Sequence, residues 1–92
     1  MNKKGDLRVW WVPQVPMKAF YQKVKSIREG KLLLRTLASY DQFQYENKIK
    51  PDYSNAGGLQ IFDERTEWMD WENEDGYCID DVDDEGNSVG VE

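Results

Sequence analysis

The chain has 92 residues, a net charge of −6 and a hydrophobic fraction of 39%, which allow one domain with a small core. No run of about 18 apolar residues is present, which excludes a membrane-spanning helix, and the N-terminus lacks the apolar segment of a signal peptide. Cys78 is the single cysteine, which excludes an internal disulfide and fits a reducing cytoplasm.

Two adjacent tryptophans mark the first predicted strand, residues 7–12 (LRVWWV). These residues favour β-structure, and a strand presents successive side chains to opposite faces. Trp11 would therefore share a face with two aliphatic residues, whereas Trp10 would lie on the other face beside Arg8. We predict that Trp11 is a core residue. Trp10 either packs half-buried against a loop or tail of the chain itself or contacts a partner.

A second strand and the main helix follow in the chain. Pro13 and Pro16 end the first strand, and residues 17–25 alternate again, which predicts an antiparallel hairpin. Ser26 and Glu29 have the spacing of a capping box, and the apolar residues behind them predict a helix over about residues 26–39.

The second half of the chain predicts short strands separated by turns. Residues 52–58 (DYSNAGG) are rich in turn formers and predict a loop. Strands are predicted within residues 59–64 and 67–72, and a further one at residues 77–80. The acidic end, residues 81–92, has no pattern that would pack, so we predict a disordered tail.

This order of elements predicts an α+β fold. We expect a small antiparallel sheet of about four to five strands in the order ββαββ, with one main helix packed on one face. Residues 1–80 would form the single domain, and residues 81–92 would lie outside it.

The residues that most enzymes use are missing. The chain has no histidine, Cys78 has no imidazole to activate it, and neither a P-loop nor a GxGxxG motif occurs. A set of acidic residues from Asp81 to Glu92 matches the spacing of a calcium-binding loop, but the flanking helices of an EF-hand are not predicted. We therefore expect no catalytic residue, no cofactor and no metal site.

The charge is divided unevenly along the chain. Residues 1–50 carry a balance of +7, and residues 51–92 carry −13. In one explanation the two halves face each other in the fold; in the other, the acidic half is a surface that attracts basic grooves. The lysines and arginines of the helix could also contact nucleic acid, but the acidic pI of about 4.6 argues against direct nucleic-acid binding.

Three stretches carry a resemblance to a known family. They are LRVWWVPQVPMKAF, then LASYDQFQYENKIKPDYSNAGGLQIFDE, and then EWMDWENEDG. Together they resemble, over about residues 6–80, the small acidic proteins of tailed phages and prophages that are called superinfection exclusion proteins. The resemblance implies a phage protein that acts in the host cytoplasm by binding, and it supplies no site residues.

Three classes of function follow from these observations. The first is an interaction protein that binds a protein of the host cell or a defence component, with an acidic nucleic-acid mimic as its variant. The second is a nucleic-acid-binding module that uses the basic helix face, and the third is an enzyme that uses carboxylates. An exposed sheet edge would also allow a homodimer. The candidate partner-binding residues are aromatic or acidic: Trp10, Asp63, Glu64, Glu67, Trp68, Asp70, Trp71, Glu72, Glu74 and Asp75.

Overall fold

The computed structural model describes residues 2–50 and 54–88. In chain order, the elements are β1 (Leu7–Val12), β2 (Phe20–Val24), α1 (Ile27–Glu46), β3 (Ala56–Asp63), β4 (Glu67–Asp70) and a 3₁₀ turn (Ile79–Asp81). The strands form one antiparallel sheet in the order β2-β1-β3-β4. The predicted α+β class, the ββαββ order and the β1–β2 hairpin are confirmed.

Helix α1 covers one face of the sheet, which we call the inner face. Val9 is fully buried there and Trp11 is only 7% exposed, so the predicted core role of Trp11 is confirmed. Gly30 lets the helix approach β3 closely, because a Cβ atom at this position would lie 3.1 Å from Leu59 Cδ1. Further apolar residues of the helix pack against the same core: Ile27, Leu33, Leu34 and Leu37.

The helix begins where the sequence predicts and ends later. The side chain of Ser26 accepts a hydrogen bond from the Glu29 amide, 3.1 Å away, as an N-cap residue does. The helix continues to Glu46 because no glycine or proline interrupts residues 39–46. Asp41 therefore lies inside the helix.

A buried polar cluster ties the helix to the loops at one end of the sheet. Asp41 is 2% exposed, and its carboxylate accepts hydrogen bonds from Lys50 Nζ and Asn55 Nδ2. Lys50 Nζ also donates to the carbonyl of Pro13, which follows β1. The cluster therefore joins the helix to the ends of β1 and β3, and each of its charges has a partner, as a buried charge requires.

The acidic end of the chain differs from its prediction. Residues 81–88 are not a disordered tail, because Val82 is 3% exposed in the core and forms an isolated bridge with Ser88. Val82 is the single valine in the sequence DVDDEGNS of residues 81–88, so the segment has no apolar periodicity from which its packing could be predicted. Residues 89–92 of the predicted tail lie outside the described residues.

Two smaller predictions also change. The strand predicted at residues 77–80 is absent from the described part of the chain, and a 3₁₀ turn from Ile79 to Asp81 takes its place. Strand β3 begins at Ala56, so the second half of the loop predicted over residues 52–58 is wrong. The reason is Gly57 and Gly58, which are strand residues here because two tryptophan rings lie over them. Residues 52 and 53 lie outside the described residues.

Candidate partner-binding face

The outer face of the sheet, opposite the helix, carries an arginine surrounded by aromatic rings. Strand alternation and register place five side chains there, which we call the aromatic face: Arg8, Trp10, Tyr21, Phe62 and Trp68. The helix and the 3₁₀ turn pack on the inner face, and among the described residues no helix or other strand covers the aromatic face.

Arg8 is held at the centre of this face by three neighbours. Its guanidinium carbon lies 3.9 Å from the centroid of the Tyr21 ring and 4.2 Å from that of the Trp68 ring. Its Nε donates a hydrogen bond of 2.8 Å to Gln60 Oε1. Cation–π attraction on two sides and a hydrogen bond on the third fix the plane of the guanidinium.

The aromatic rings are fixed by the backbone beneath them and by each other. Trp10 lies over Gly58, where a Cβ atom would come within 2.7 Å of the indole Nε1. Phe62 and Trp68 meet edge to face with their centroids 5.3 Å apart. Tyr21 remains 50% exposed, and Trp10 is half-buried. Rigid aromatic residues around an arginine are the composition that dominates protein-binding hot spots.

The structure brings together three of the predicted site residues. Trp10 and Trp68 belong to the aromatic face, and the register places Asp70 on the same side, next to Gln60. Asp63 and Glu67 form the next pair along the β3–β4 hairpin, so alternation places them on the opposite side of the sheet from Phe62 and Trp68, and Glu64 lies in the turn between the two strands.

The other predicted site residues lie elsewhere. Trp71 packs against the core. Its ring lies close to Gly86, where a Cβ atom would come within 3.5 Å of it. Trp71 is therefore not part of the aromatic face. The other three acidic candidates line a groove of about 380 Å³ between two loops, together with Glu85: Glu72, Glu74 and Asp75. Asp75 accepts a hydrogen bond of 2.8 Å from Ser88 Oγ, so one of its carboxylate oxygens already has a partner within the fold.

The basic side of the helix is occupied by the acidic end of the chain. Arg28 forms ion pairs with Asp84 at 3.4 Å and Glu85 at 2.5 Å, and Arg35 approaches Asp84 at 3.5 Å. Lys31 donates hydrogen bonds to the carbonyls of Ile79 and Val82, at 3.1 and 2.8 Å. These contacts agree with the explanation in which the two halves of the chain face each other, since three cations of the basic helix face contact the acidic end of the chain.

Three members of the aromatic face were not predicted as site residues: Arg8, Tyr21 and Phe62. Strand alternation alone places Arg8 on the same face as Trp10. To assign Tyr21 and Phe62 to that face, the strand order is needed as well. With β1 between β2 and β3, Tyr21 becomes the cross-strand neighbour of Trp10, and Phe62 becomes that of Trp68. Pairing across strands is not encoded in the alternation of one strand.

The described residues include neither a metal-binding cluster nor a membrane-spanning helix. Residues 2–50 and 54–88 contain no group of three or more His, Cys, Asp or Glu side chains arranged to hold a metal ion. In the acidic segment, Asp83 Oδ1 accepts hydrogen bonds from the amides of Glu85 and Asn87 instead, both at 2.9 Å. Glu92, the last residue of the calcium-loop pattern, lies outside the described residues. None of the described helices is long and apolar enough to span a membrane.

Comparison with known proteins gives a family and one curated relative. The model of the family described as "Superinfection exclusion gene product 17" matches residues 6–89. A superinfection exclusion protein of Salmonella phage P22 is 49% identical over 87 residues, which cover 82% of this chain and 84% of that protein. No solved structure matches the chain.

Proposed function

The chain belongs to the superinfection exclusion gene product 17 family, and we propose that it acts in exclusion as a non-enzymatic protein that binds a protein partner through its aromatic face. The partner is a component of the host cell or of a defence system. The predicted place of action, the host cytoplasm, is part of this proposal and rests on the resemblance and the single cysteine.

The observation that carries the proposal is the aromatic face itself. A folded protein gains stability by burying large rings, yet here Trp10, Tyr21, Phe62 and Trp68 surround an arginine on a sheet face that no described helix or other strand covers. Tryptophan, tyrosine and arginine are the residues most enriched among interface hot spots, and rings held in place lose little entropy when a partner binds.

The acidic-mimic variant has weaker support. The acids at the β3–β4 hairpin (Asp63, Glu64 and Glu67) have no ion pair among the described residues, which favours a surface that attracts cations. Asp70 lies on the side of the aromatic face, whereas Glu72, Glu74 and Asp75 lie in a separate groove, where Asp75 accepts a hydrogen bond from Ser88. Mimicry of a phosphate chain needs regularly spaced charges along one surface, so we keep it as the second candidate.

A homodimer through a sheet edge remains a prediction. Strands β2 and β4 are the edges of the sheet. Lys23 lies on β2, whereas Glu67 and Asp70 lie on β4. Like edges would place like charges opposite each other, which disfavours a symmetric pairing of either edge.

Site-specific photocrosslinking in infected cells tests the proposal. Tyr21 on the aromatic face is replaced with p-benzoylphenylalanine, and Tyr40, a somewhat more exposed tyrosine on the helix, is replaced in a matched control. We expect a discrete protein adduct from position 21 and none from position 40. Adducts from position 40 alone, or from neither position in cells that still exclude phage, would contradict the proposal.

A further inference from the structure

Arg8 has a fixed guanidinium but no anionic partner within residues 2–50 and 54–88. No carboxylate of these residues lies within ion-pair distance of it. Nε is bonded to Gln60, whereas the terminal nitrogens Nη1 and Nη2 donate no hydrogen bond to a described residue. The two other partly buried cations with long-range contacts differ, because Lys50 pairs with Asp41 and Lys31 donates to backbone carbonyls.

We infer that Arg8 binds a single carboxylate of the protein partner, through both of its terminal nitrogens. The inference rests on the proposed function and names the chemical group that the centre of the aromatic face binds. An arginine presents two parallel N–H groups that match the two oxygens of a carboxylate. The rings of Tyr21 and Trp68 already hold the plane of the guanidinium, so the entropy lost on binding is small. The same rings lie 3.9 and 4.2 Å from the guanidinium carbon and reduce its contact with water, which strengthens an ion pair.

The charges around Arg8 favour one carboxylate over a chain of phosphates. Asp70 lies on the same side of the sheet, two strands away, and the hairpin that joins Phe62 to Trp68 adds three more acids to the chain: Asp63, Glu64 and Glu67. With a net charge of −6 on the whole chain, an extended polyanion would be repelled along most of its length. A protein that places one aspartate or glutamate among apolar or basic residues meets no such repulsion.

Two small probes that differ in one group test the inference on the native protein. N-acetyl-L-phenylalaninate carries a carboxylate beside an aromatic ring, and N-acetyl-L-phenylalaninamide carries a neutral amide in the same position. NMR titration follows the Nε–Hε signal of Arg8 and the indole signals of Trp10 and Trp68. We expect the carboxylate to bind at least about five-fold more tightly than the amide, because a charge-assisted bidentate pair replaces a neutral contact.

Two variants separate the geometry of arginine from its charge. Arg8→Lys keeps the charge and loses the paired donors, so it is expected to abolish the preference for the carboxylate. Arg65→Lys, in the exposed turn of the β3–β4 hairpin, makes the same change away from the site and is expected to leave the preference intact.

Three results would overturn the inference. They are equal affinity of the native protein for the two probes, an unchanged preference in Arg8→Lys, and tighter binding of a short oligothymidylate than of the carboxylate at the Arg8 signal. None of them removes the proposed function, which fails separately if replacing Trp10 and Trp68 leaves exclusion unchanged. If exclusion requires the two tryptophans but Arg8 shows no preference for a carboxylate, the aromatic face binds its partner by apolar contact alone.

Discussion

Trp10 and Trp11 are neighbours in the chain and lie on opposite faces of the sheet, each over a glycine of β3. The register pairs Trp10 with Gly58 and Trp11 with Gly57. A Cβ atom at Gly57 would lie 2.3 Å from Trp11 Cε3, and one at Gly58 would lie 2.7 Å from Trp10 Nε1. The glycine pair therefore makes room for both rings, one inside the core and one on the aromatic face.

This division predicts different effects of two adjacent substitutions. Trp11→Ala removes a core ring that is 7% exposed and is expected to cost about 3 to 5 kcal/mol of unfolding free energy. That loss is a large part of the roughly 5 to 8 kcal/mol that a domain of this size has. Trp10→Ala is expected to cost about 1 to 2 kcal/mol, because its ring is half-buried. Urea unfolding followed by circular dichroism measures both, and equal losses would refute the assignment of faces.

The buried ion pair predicts a large effect from the loss of one partner. Asp41→Ala leaves Lys50 charged and buried without its carboxylate, and is expected to cost about 3 to 5 kcal/mol. The exposed pair of Lys23 and Asp6, at 3.4 Å, provides the control, since Lys23→Ala is expected to cost less than about 1 kcal/mol. Chemical denaturation compares the two variants. A loss in Asp41→Ala as small as that in Lys23→Ala would show that Asp41 is not a structural link.

The acidic end of the chain is predicted to stabilise the domain. Val82→Ala removes buried apolar area beside Ile79 and is expected to lower the unfolding free energy by about 1 to 2 kcal/mol. Val15→Ala is the matched control, because Val15 is 48% exposed and its loss should be nearly neutral. Thermal and urea unfolding of both variants, together with a chain ending at Asp80, measure the effect. Full stability of the shortened chain would restore the boundary that the sequence predicts at residue 80.

The turn that follows Val82 predicts an acid-sensitive contribution. Hydrogen bonds from the amides of Asn87 and Glu85 hold the pKa of Asp83 below its ordinary value of 3.8. Because the folded pKa is depressed, this stabilisation is present above about pH 3.8 and is lost as the pH falls through the lowered value. A carbon-13 NMR titration of the Asp83 carboxyl group measures that pKa. Asp83→Asn should remove the corresponding pH dependence, and a pKa at or above 3.8 would contradict the assigned hydrogen bonds.

The sequence was sufficient for features that depend on one segment at a time. Alternation assigned the opposite faces of Trp10 and Trp11, and the capping pattern located the start of the helix at Ser26. Features that join distant segments were not predictable in this way. The packing of Val82 in the core and the convergence of Tyr21 and Trp68 on Arg8 depend on strand order and register, which no local pattern specifies.

The most direct test of the central claim is the plating efficiency of superinfecting phages on cells that express the chain. Trp10→Ala and Trp68→Ala together remove two rings of the aromatic face, whereas Phe43→Ala removes an exposed ring of the helix (53% exposed). All variants are first shown to be folded at equal abundance. The account predicts that the double variant loses exclusion and that Phe43→Ala keeps it. Normal exclusion by the folded double variant would contradict the claim that this face binds the partner.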